Sequence, residues 1–342
     1  MTIQKFDKHT LWFHGIKLNV YSNCPGLLEY LRRDFESFAK SNRPVEQTIS
    51  ITAQQGPFDP KQIRGWPFLR HLGGKASGWG NERWVDYGNA LLFYNAAQRC
   101  GRVEAEDLNP LYHYTYYLII STLGVTMDQM GLHRFHSLGV SYHGTSALFA
   151  MPISGGKSTL AMQLLGDLDF LLISEDTPLI DPNSKVFPFA IRISLREIDR
   201  LSIPDDRFRI KNDPVFGKKY LLDMSHFGMS RCMDHAMSTH FIFWAEKSSL
   251  DKPKIISVPS RKSLPALLIA IGMGKDCPQR AEMVLRLNPA GIREIGVTLW
   301  KRLACAISLW RRVTCYRFLM TKDIEKNARF LKAFLAEHRT HD

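Results

Sequence analysis

The chain lacks most of the signatures that would settle its class at a glance. Its six cysteines (Cys24, Cys100, Cys232, Cys277, Cys305 and Cys315) form no C-x-x-C pair, which argues against a zinc site or a disulfide framework. Met1 to Lys8 is polar, without the apolar core of a signal peptide, so the expected location is cytoplasmic. One of the longest apolar stretches, Tyr116 to Val125, is interrupted by Ser121, Thr122 and Gly124 and is too short to span a bilayer. There is no internal repeat, no low-complexity linker and no long run of one charge. The net charge of +12 owes much to Lys301, Arg302, Arg311, Arg312, Arg317, Lys322, Lys326, Arg329 and Lys332. These alternate with apolar residues and read as a solvated face. With no nucleic-acid motif, binding to nucleic acid is not expected, although charge alone would permit it.

What the chain does have is 342 residues with 45% hydrophobic content, enough for one large or two ordinary domains. We expect an N-terminal α/β unit over residues 1–125 and a second domain over 126–342, with a soft boundary between Ala105 and Met130. In the first, Leu11 to Tyr21 alternates as a strand, Pro25 to Phe38 has helical spacing, and Thr48 to Thr52 is a short strand. Gly56 to Gly80 is rich in Gly, Pro, Arg and Trp, includes Trp66 and Trp79, and reads as an irregular loop. Arg83–Tyr87 and Ala90–Tyr94 form a hairpin around Gly88-Asn89. Pro110 to Met127 predicts a helix. Beyond Phe135 the pattern turns strand-rich: Val140–His143, Ala147–Met151, Phe170–Ile173, Pro178–Ile180, Val186–Phe189, His240–Trp244 and Val313–Leu319. Leu264–Ile271, Arg280–Leu287 and Ile324–Leu335 read as helices.

The strongest local pattern is Ser146-Ala147-Leu148-Phe149-Ala150-Met151-Pro152-Ile153-Ser154-Gly155-Gly156-Lys157-Ser158-Thr159. An apolar strand runs into a Gly-containing turn, then Gly-Lys-Ser-Thr, then a helix-like stretch. Glycines let backbone N–H groups close around phosphate oxygens, and the helix N-terminus adds free N–H groups and a positive dipole end. Lys157 would reach the β/γ-phosphates and the Ser158 hydroxyl would hold Mg²⁺. The phosphate cradle is therefore expected from Pro152, Ile153, Ser154, Gly155, Gly156, Lys157, Ser158 and Thr159. The full G-x-x-x-x-G-K-[ST] pattern has glycine where this chain has Met151.

One helix later, Phe170-Leu171-Leu172-Ile173-Ser174 ends in Glu175-Asp176. A strand ending in two carboxylates suits a metal–nucleotide site, one acid orienting Mg²⁺ and the other accepting a proton from a hydroxyl. Ser158, Glu175 and Asp176 are thus the candidate metal ligands. His136, in Phe135-His136-Ser137, precedes a strand expected beside the phosphate loop, from where it would tune the acids. His143 has no assigned role. Arg192 and Arg196 read as surface or sheet-edge residues, with phosphate contact as the other reading.

Together these elements resemble the HPr serine kinase/phosphorylase catalytic domain and its related kinases. The corresponding pieces are His136 to Val140, Ala147 to Thr159 and Leu171 to Asp176, followed by Leu179-Ile180-Asp181-Pro182-Asn183, Val186-Phe187-Pro188-Phe189 and Ile193-Ser194-Leu195-Arg196. The resemblance covers Leu132 to Arg200 and fades on either side. It implies a mixed-sheet α/β P-loop domain of the HPr kinase/phosphoenolpyruvate carboxykinase type. It also implies that Glu175 deprotonates the target hydroxyl, that Asp176 helps hold metal, and that His136 contacts the base. The departures are Met151 for the first loop glycine, Glu175 for an aspartate, and Thr159 where the bifunctional enzyme has an acid. Pro259 to Arg286 does not match the motif linked to phosphorylase activity. The function expected is an ATP- or other NTP-dependent, Mg²⁺-dependent kinase acting on a hydroxyl, a serine of a protein or peptide. The alternative is a catalytically inactive nucleotide-binding sensor or partner module. Homo-oligomer formation is left open.

Overall fold

The computed structural model describes residues 5–40, 44–71, 73–196, 203, 205–213, 217–274, 277, 279–286 and 288–339. Met1–Gln4, residues 197–200 and Leu287, which figure in the sequence reading, lie outside that set. The chain divides into two compact units, each discontinuous in sequence. One comprises Met1–Met127, Ile210–Lys219 and Pro278–Gly296; the other comprises Asp128–Arg209, Tyr220–Cys277 and Val297–Asp342.

The first unit holds an eight-stranded sheet of β1 (Asp7–Phe13), β2 (Ile16–Ser22), β3 (Gln47–Gln55), β4 (Trp66–His71), β5 (Gly74–Trp79), β6 (Glu82–Asp86), β7 (Leu91–Asn95) and β8 (Cys100–Ala105), in the order β1-β2-β3-β8-β7-β6-β5-β4. The strand expected over Leu11–Tyr21 is instead two strands of a hairpin, folded back at His14-Gly15, where both residues have positive φ. Helix α1 (Pro25–Asp34) crosses between β2 and β3, which pair in parallel and so require such a connection. Gly56–Gly80 is not an irregular loop: it contains the antiparallel pair β4–β5, continued by β6. Cross-strand pairing outweighs its Gly- and Pro-rich composition. The β6–β7 hairpin turns around Gly88-Asn89 as expected. Helix α2 (Leu108–Gln129) follows β8.

The second unit is built on a six-stranded mixed sheet. Its strands are β10 (Leu138–Tyr142), β11 (Thr145–Ala150), β12 (Phe170–Ser174), β19 (Phe241–Lys247), β20 (Lys254–Ser257) and β21 (Thr314–Met320), ordered β12-β10-β11-β19-β21-β20. β11, β19 and β21 run parallel; β10, β12 and β20 run against their neighbours. A small second sheet of β9 (His133–Arg134), β13 (Leu179–Ile180), β14 (Lys185–Phe187) and β18 (Met237–Ser238) also belongs to this unit. β15 (Ile193–Leu195), β16 (Phe208–Asp213) and β17 (Gly217–Leu222) form a third sheet. Helices α3 (Lys157–Leu165) and α4 (Ser260–Leu267) precede the short α5 (Ala281–Val284), which belongs to the first unit; α6 (Pro289–Arg312) and α7 (Ile324–Glu337) follow.

Both faces of the main sheet are covered, so its central strands are apolar throughout. On one face Ala147, Phe149, Phe243, Ala245 and Phe318 pack with Leu160, Ala161 and Leu164 of α3 and Leu331 and Leu335 of α7. On the other, Leu148, Ile173 and Ile242 pack with Leu267 of α4 and Cys305, Ala306 and Leu309 of α6. The unit is α/β with a mixed sheet between two helical layers. All six cysteines are free thiols. Among the described residues, no helix is long and apolar enough to cross a membrane.

Candidate functional site

β11 delivers the chain to the carboxyl edge of the sheet, beside its parallel neighbour β19. In α/β sheets this edge is where ligands bind. The next residue, Met151, is buried and its side chain joins the core beneath α3. Thus the residue that breaks the glycine pattern turns inward. Pro152, Ile153 and Ser154 are exposed. The Gly155 N–H donates to Pro152 O at 2.9 Å, closing a tight turn. A Cβ at Gly155 would lie 2.8 Å from that carbonyl, so only glycine fits. Gly156 has φ of 104°, the left-handed region that glycine adopts without steric cost. The helix then starts at Lys157 with no side chain capping its first turn, and its opening amides and positive dipole end face the loop.

The acid pair is positioned by the strand before it. β10 and β12 pair in antiparallel register with a bulge, Gly139 opposite Ser174 but Val140 opposite Leu172. A bulge re-aims the residues that follow it. Ser174 is buried; its hydroxyl donates to Phe189 O (2.8 Å) and accepts from Thr177 N (3.0 Å). The Asp176 carbonyl accepts from Ser137 N at 2.9 Å. The turn carrying both acids is therefore tied to the segment carrying His136.

The side chains converge as follows. The Ser158 hydroxyl donates to Glu175 Oε1. Lys157 Nζ donates to His136 Nε2 at 2.7 Å and lies 3.6 Å from Asp176 Oδ1. His136 Nδ1 lies 3.3 Å from the same Asp176 oxygen. With Nε2 accepting from the ammonium, the proton of a neutral imidazole sits on Nδ1, facing the carboxylate. Glu175 is only 7% exposed. Burial pushes its carboxyl up to about 7, and the negative charge of Asp176 adds to the rise. The Ser158 hydrogen bond and the charges of Lys157 and Arg192 pull the other way without cancelling it.

His136, the Pro152–Ser158 loop and helix start, Glu175 and Asp176 thus meet at one end of one sheet. Pro152 to Gly156 supply the turn, Lys157 and Ser158 face the acids and histidine, and Thr159 is exposed on the first turn of α3. His143 is elsewhere, in the β10–β11 turn 3.2 Å from Asp169. Arg192 departs from its surface reading: it is buried, and its charge favours the ionised form of Glu175. Arg196 is exposed, as a surface residue should be. The only signal for Arg192 was an arginine among apolar residues (Ala190-Ile191-Arg192-Ile193), which buries a charge and needs a reason. Ser174 gave no signal beyond ending a strand.

No family model matches the sequence, and no curated protein does. Among solved structures, one similar to this chain is the HPr(Ser) kinase/phosphatase from Coxiella burnetii. The match covers 60% of this chain and 95% of that one at 12% identity, with a TM-score of 0.29. The likeness is distant and carries no inference about activity.

Proposed function

We propose that the second unit binds a nucleoside triphosphate with Mg²⁺ and transfers its terminal phosphoryl group to a hydroxyl, a serine of a protein or peptide. The reading places the unit with P-loop kinases of the HPr kinase type. The observation that carries it is the buried Glu175, bonded to Ser158 at the first turn of α3 with Lys157, His136 and Asp176 beside it.

A buried carboxylate beside a second acid, with its proton held near neutrality, is suited to exchange a proton with what binds at the helix N-terminus. Loop and helix amides and Lys157 hold the phosphates. The Ser158 hydroxyl and Asp176 are hard oxygen donors, the set that suits Mg²⁺ when phosphates supply further ligands. The metal would neutralise charge on the transferring group. Among the described residues no cluster of three or more His, Cys, Asp or Glu forms a self-contained metal cage. A site completed by phosphates needs none. Glu175, poised near neutrality, accepts the hydroxyl proton as the acceptor oxygen bonds to phosphorus and the bridging P–O bond breaks, releasing the diphosphate. His136 accepts from Lys157 and lies beside Asp176, so it helps to orient both the ammonium and the carboxylate.

The test is Mg²⁺-dependent ATP binding by calorimetry, with phosphoryl release and transfer to serine peptides, in wild type, Lys157→Ala and Glu175→Gln. The reading predicts binding by wild type, loss of binding in Lys157→Ala, and binding without transfer in Glu175→Gln. Wild type that binds no nucleotide overturns it.

A further inference from the structure

We propose that Lys247, at the carboxyl end of β19, is a second phosphate-binding cation of this site, contacting the polyphosphate of the nucleotide. The inference rests on the nucleotide-binding reading above. Nothing in the local sequence, Trp244-Ala245-Glu246-Lys247-Ser248, suggests it.

The placement follows from sheet geometry. β19 pairs in parallel with β11, Ala150 opposite Trp244, so Lys247 lies just past the point where β11 becomes the loop. Side chains alternate along a strand. Phe241, Phe243 and Ala245 all pack on the face covered by α3, while Ile242 packs on the other. Lys247 therefore belongs to the α3 face, at the edge where α3 begins. The side chain reaches that helix start. Its Cε lies 3.8 Å from the position a Cβ would take on Gly156, the residue immediately before Lys157.

The backbone beneath Lys247 is anchored, since Ser248 donates to Met320 O from both its N–H (2.7 Å) and its hydroxyl (3.0 Å). The preceding carboxylate gives Lys247 no partner. Glu246 is held by Arg317 on the neighbouring strand, through Nε at 2.7 Å. Lys247 is exposed and has no ion-pair partner among the described residues. No acid occurs between Pro152 and Thr159. Two lysines thus stand near the positive end of a helix dipole; Asp176 lies 3.6 Å from Lys157, and the loop offers Lys247 no anion. Cations are disfavoured at a helix N-terminus, and this arrangement becomes favourable when an anion of several charges sits between them.

The experiment is equilibrium binding of Mg²⁺–ATP, ADP and inorganic tripolyphosphate to wild type, Lys247→Gln and Lys247→Arg. Lys254→Gln, on the exposed edge strand β20, is the charge control. Thermal melts check that each variant is folded. Lys247→Gln should bind tripolyphosphate and ATP about tenfold more weakly, as loss of one charge-assisted contact implies. Lys247→Arg should keep most of the affinity, and Lys254→Gln should match wild type. Wild-type affinity in Lys247→Gln, or an equal loss in Lys254→Gln, overturns the inference while leaving the nucleotide reading intact. No binding by wild type overturns both.

Discussion

Each unit of this chain buries a glutamate, and the two are treated in opposite ways. Glu282, in the first unit, is fully buried. It accepts from His71 Nδ1 at 2.8 Å and from the Tyr87 hydroxyl at 3.1 Å, with Arg280 Nη1 3.5 Å away. Arg280 is itself held by His113 at 3.2 Å and stacks over Tyr117. Every charge has a partner, and the Tyr87 hydroxyl is pushed well above its ordinary range by burial and by the neighbouring carboxylate. Glu175, in the second unit, is nearly as buried, but among the described residues it has one hydrogen-bond donor, Ser158, and a second carboxylate alongside. A buried acid surrounded by donors is a fastening. One left short of donors and next to a like charge holds its proton near pH 7 and is ready to exchange it.

Four changes would break or sharpen this contrast. The largest effect is expected on chemistry: Glu175→Gln should lower phosphoryl transfer by roughly 10²–10⁴-fold, as removal of a general base does, with nucleotide affinity kept. Transfer kinetics and calorimetry on the same preparation decide it. Glu282→Leu should act on stability alone, costing about 3–5 kcal/mol because Arg280 is left buried without its carboxylate. A fall in the urea midpoint measures this, and an unchanged midpoint would mean the cluster is not the fastening described.

The third concerns pH. The Glu175 carboxyl is at about 7 when folded against an ordinary 4.5. A raised value gives stability that is present in full below about 4.5 and lost as pH rises through 7. Wild type should therefore lose about 3 kcal/mol relative to Glu175→Gln between pH 4.5 and 8, with transfer rising over the upper part of that window as the base ionises. Parallel stability curves for the two proteins would refute the assignment. The smallest effect is expected from Ser174→Ala, about 1–2 kcal/mol, because it removes the two buried hydrogen bonds of this hydroxyl, to Phe189 O and from Thr177 N. Transfer should also fall, since the turn bearing Glu175 and Asp176 loses its anchor. A Tm shift without any kinetic change would argue that the turn is held by Ser137 alone.

Much of the second unit's site was legible because its parts are local. β11, the loop and α3 are contiguous, and each carries its own signal: an apolar run, then glycines, then helical spacing. The same holds for β12 ending in Glu175-Asp176 and for the hairpin at Gly88-Asn89. The failures share a cause as well. Leu11–Tyr21 alternates evenly enough to hide the reversal at His14-Gly15, whose positive φ values belong to the turn and not to the pattern. β4 and β5 are composed like a loop, and only pairing with β6 makes them strands. Among the described residues of the helix expected over Arg280–Leu287, only Ala281–Val284 is helical; Arg280 and Glu282 serve a buried cluster with residues distant in sequence. Arg192 looked like a surface charge because nothing nearby in sequence announces the carboxylate it faces.

By itself the sequence determined that a glycine-containing loop would stand between a buried strand and a helix, and that two acids would end the next strand. Backbone sterics, glycine and hydrophobic periodicity act over a few residues and can be read there. Tertiary structure alone decided that His136 would meet Lys157, that Ser158 would face Glu175, and that Arg192 and Lys247 would come to the same edge. Those meetings depend on strand order and register. Burial, which moves a carboxyl from its ordinary range to about 7, is a property of everything packed around it.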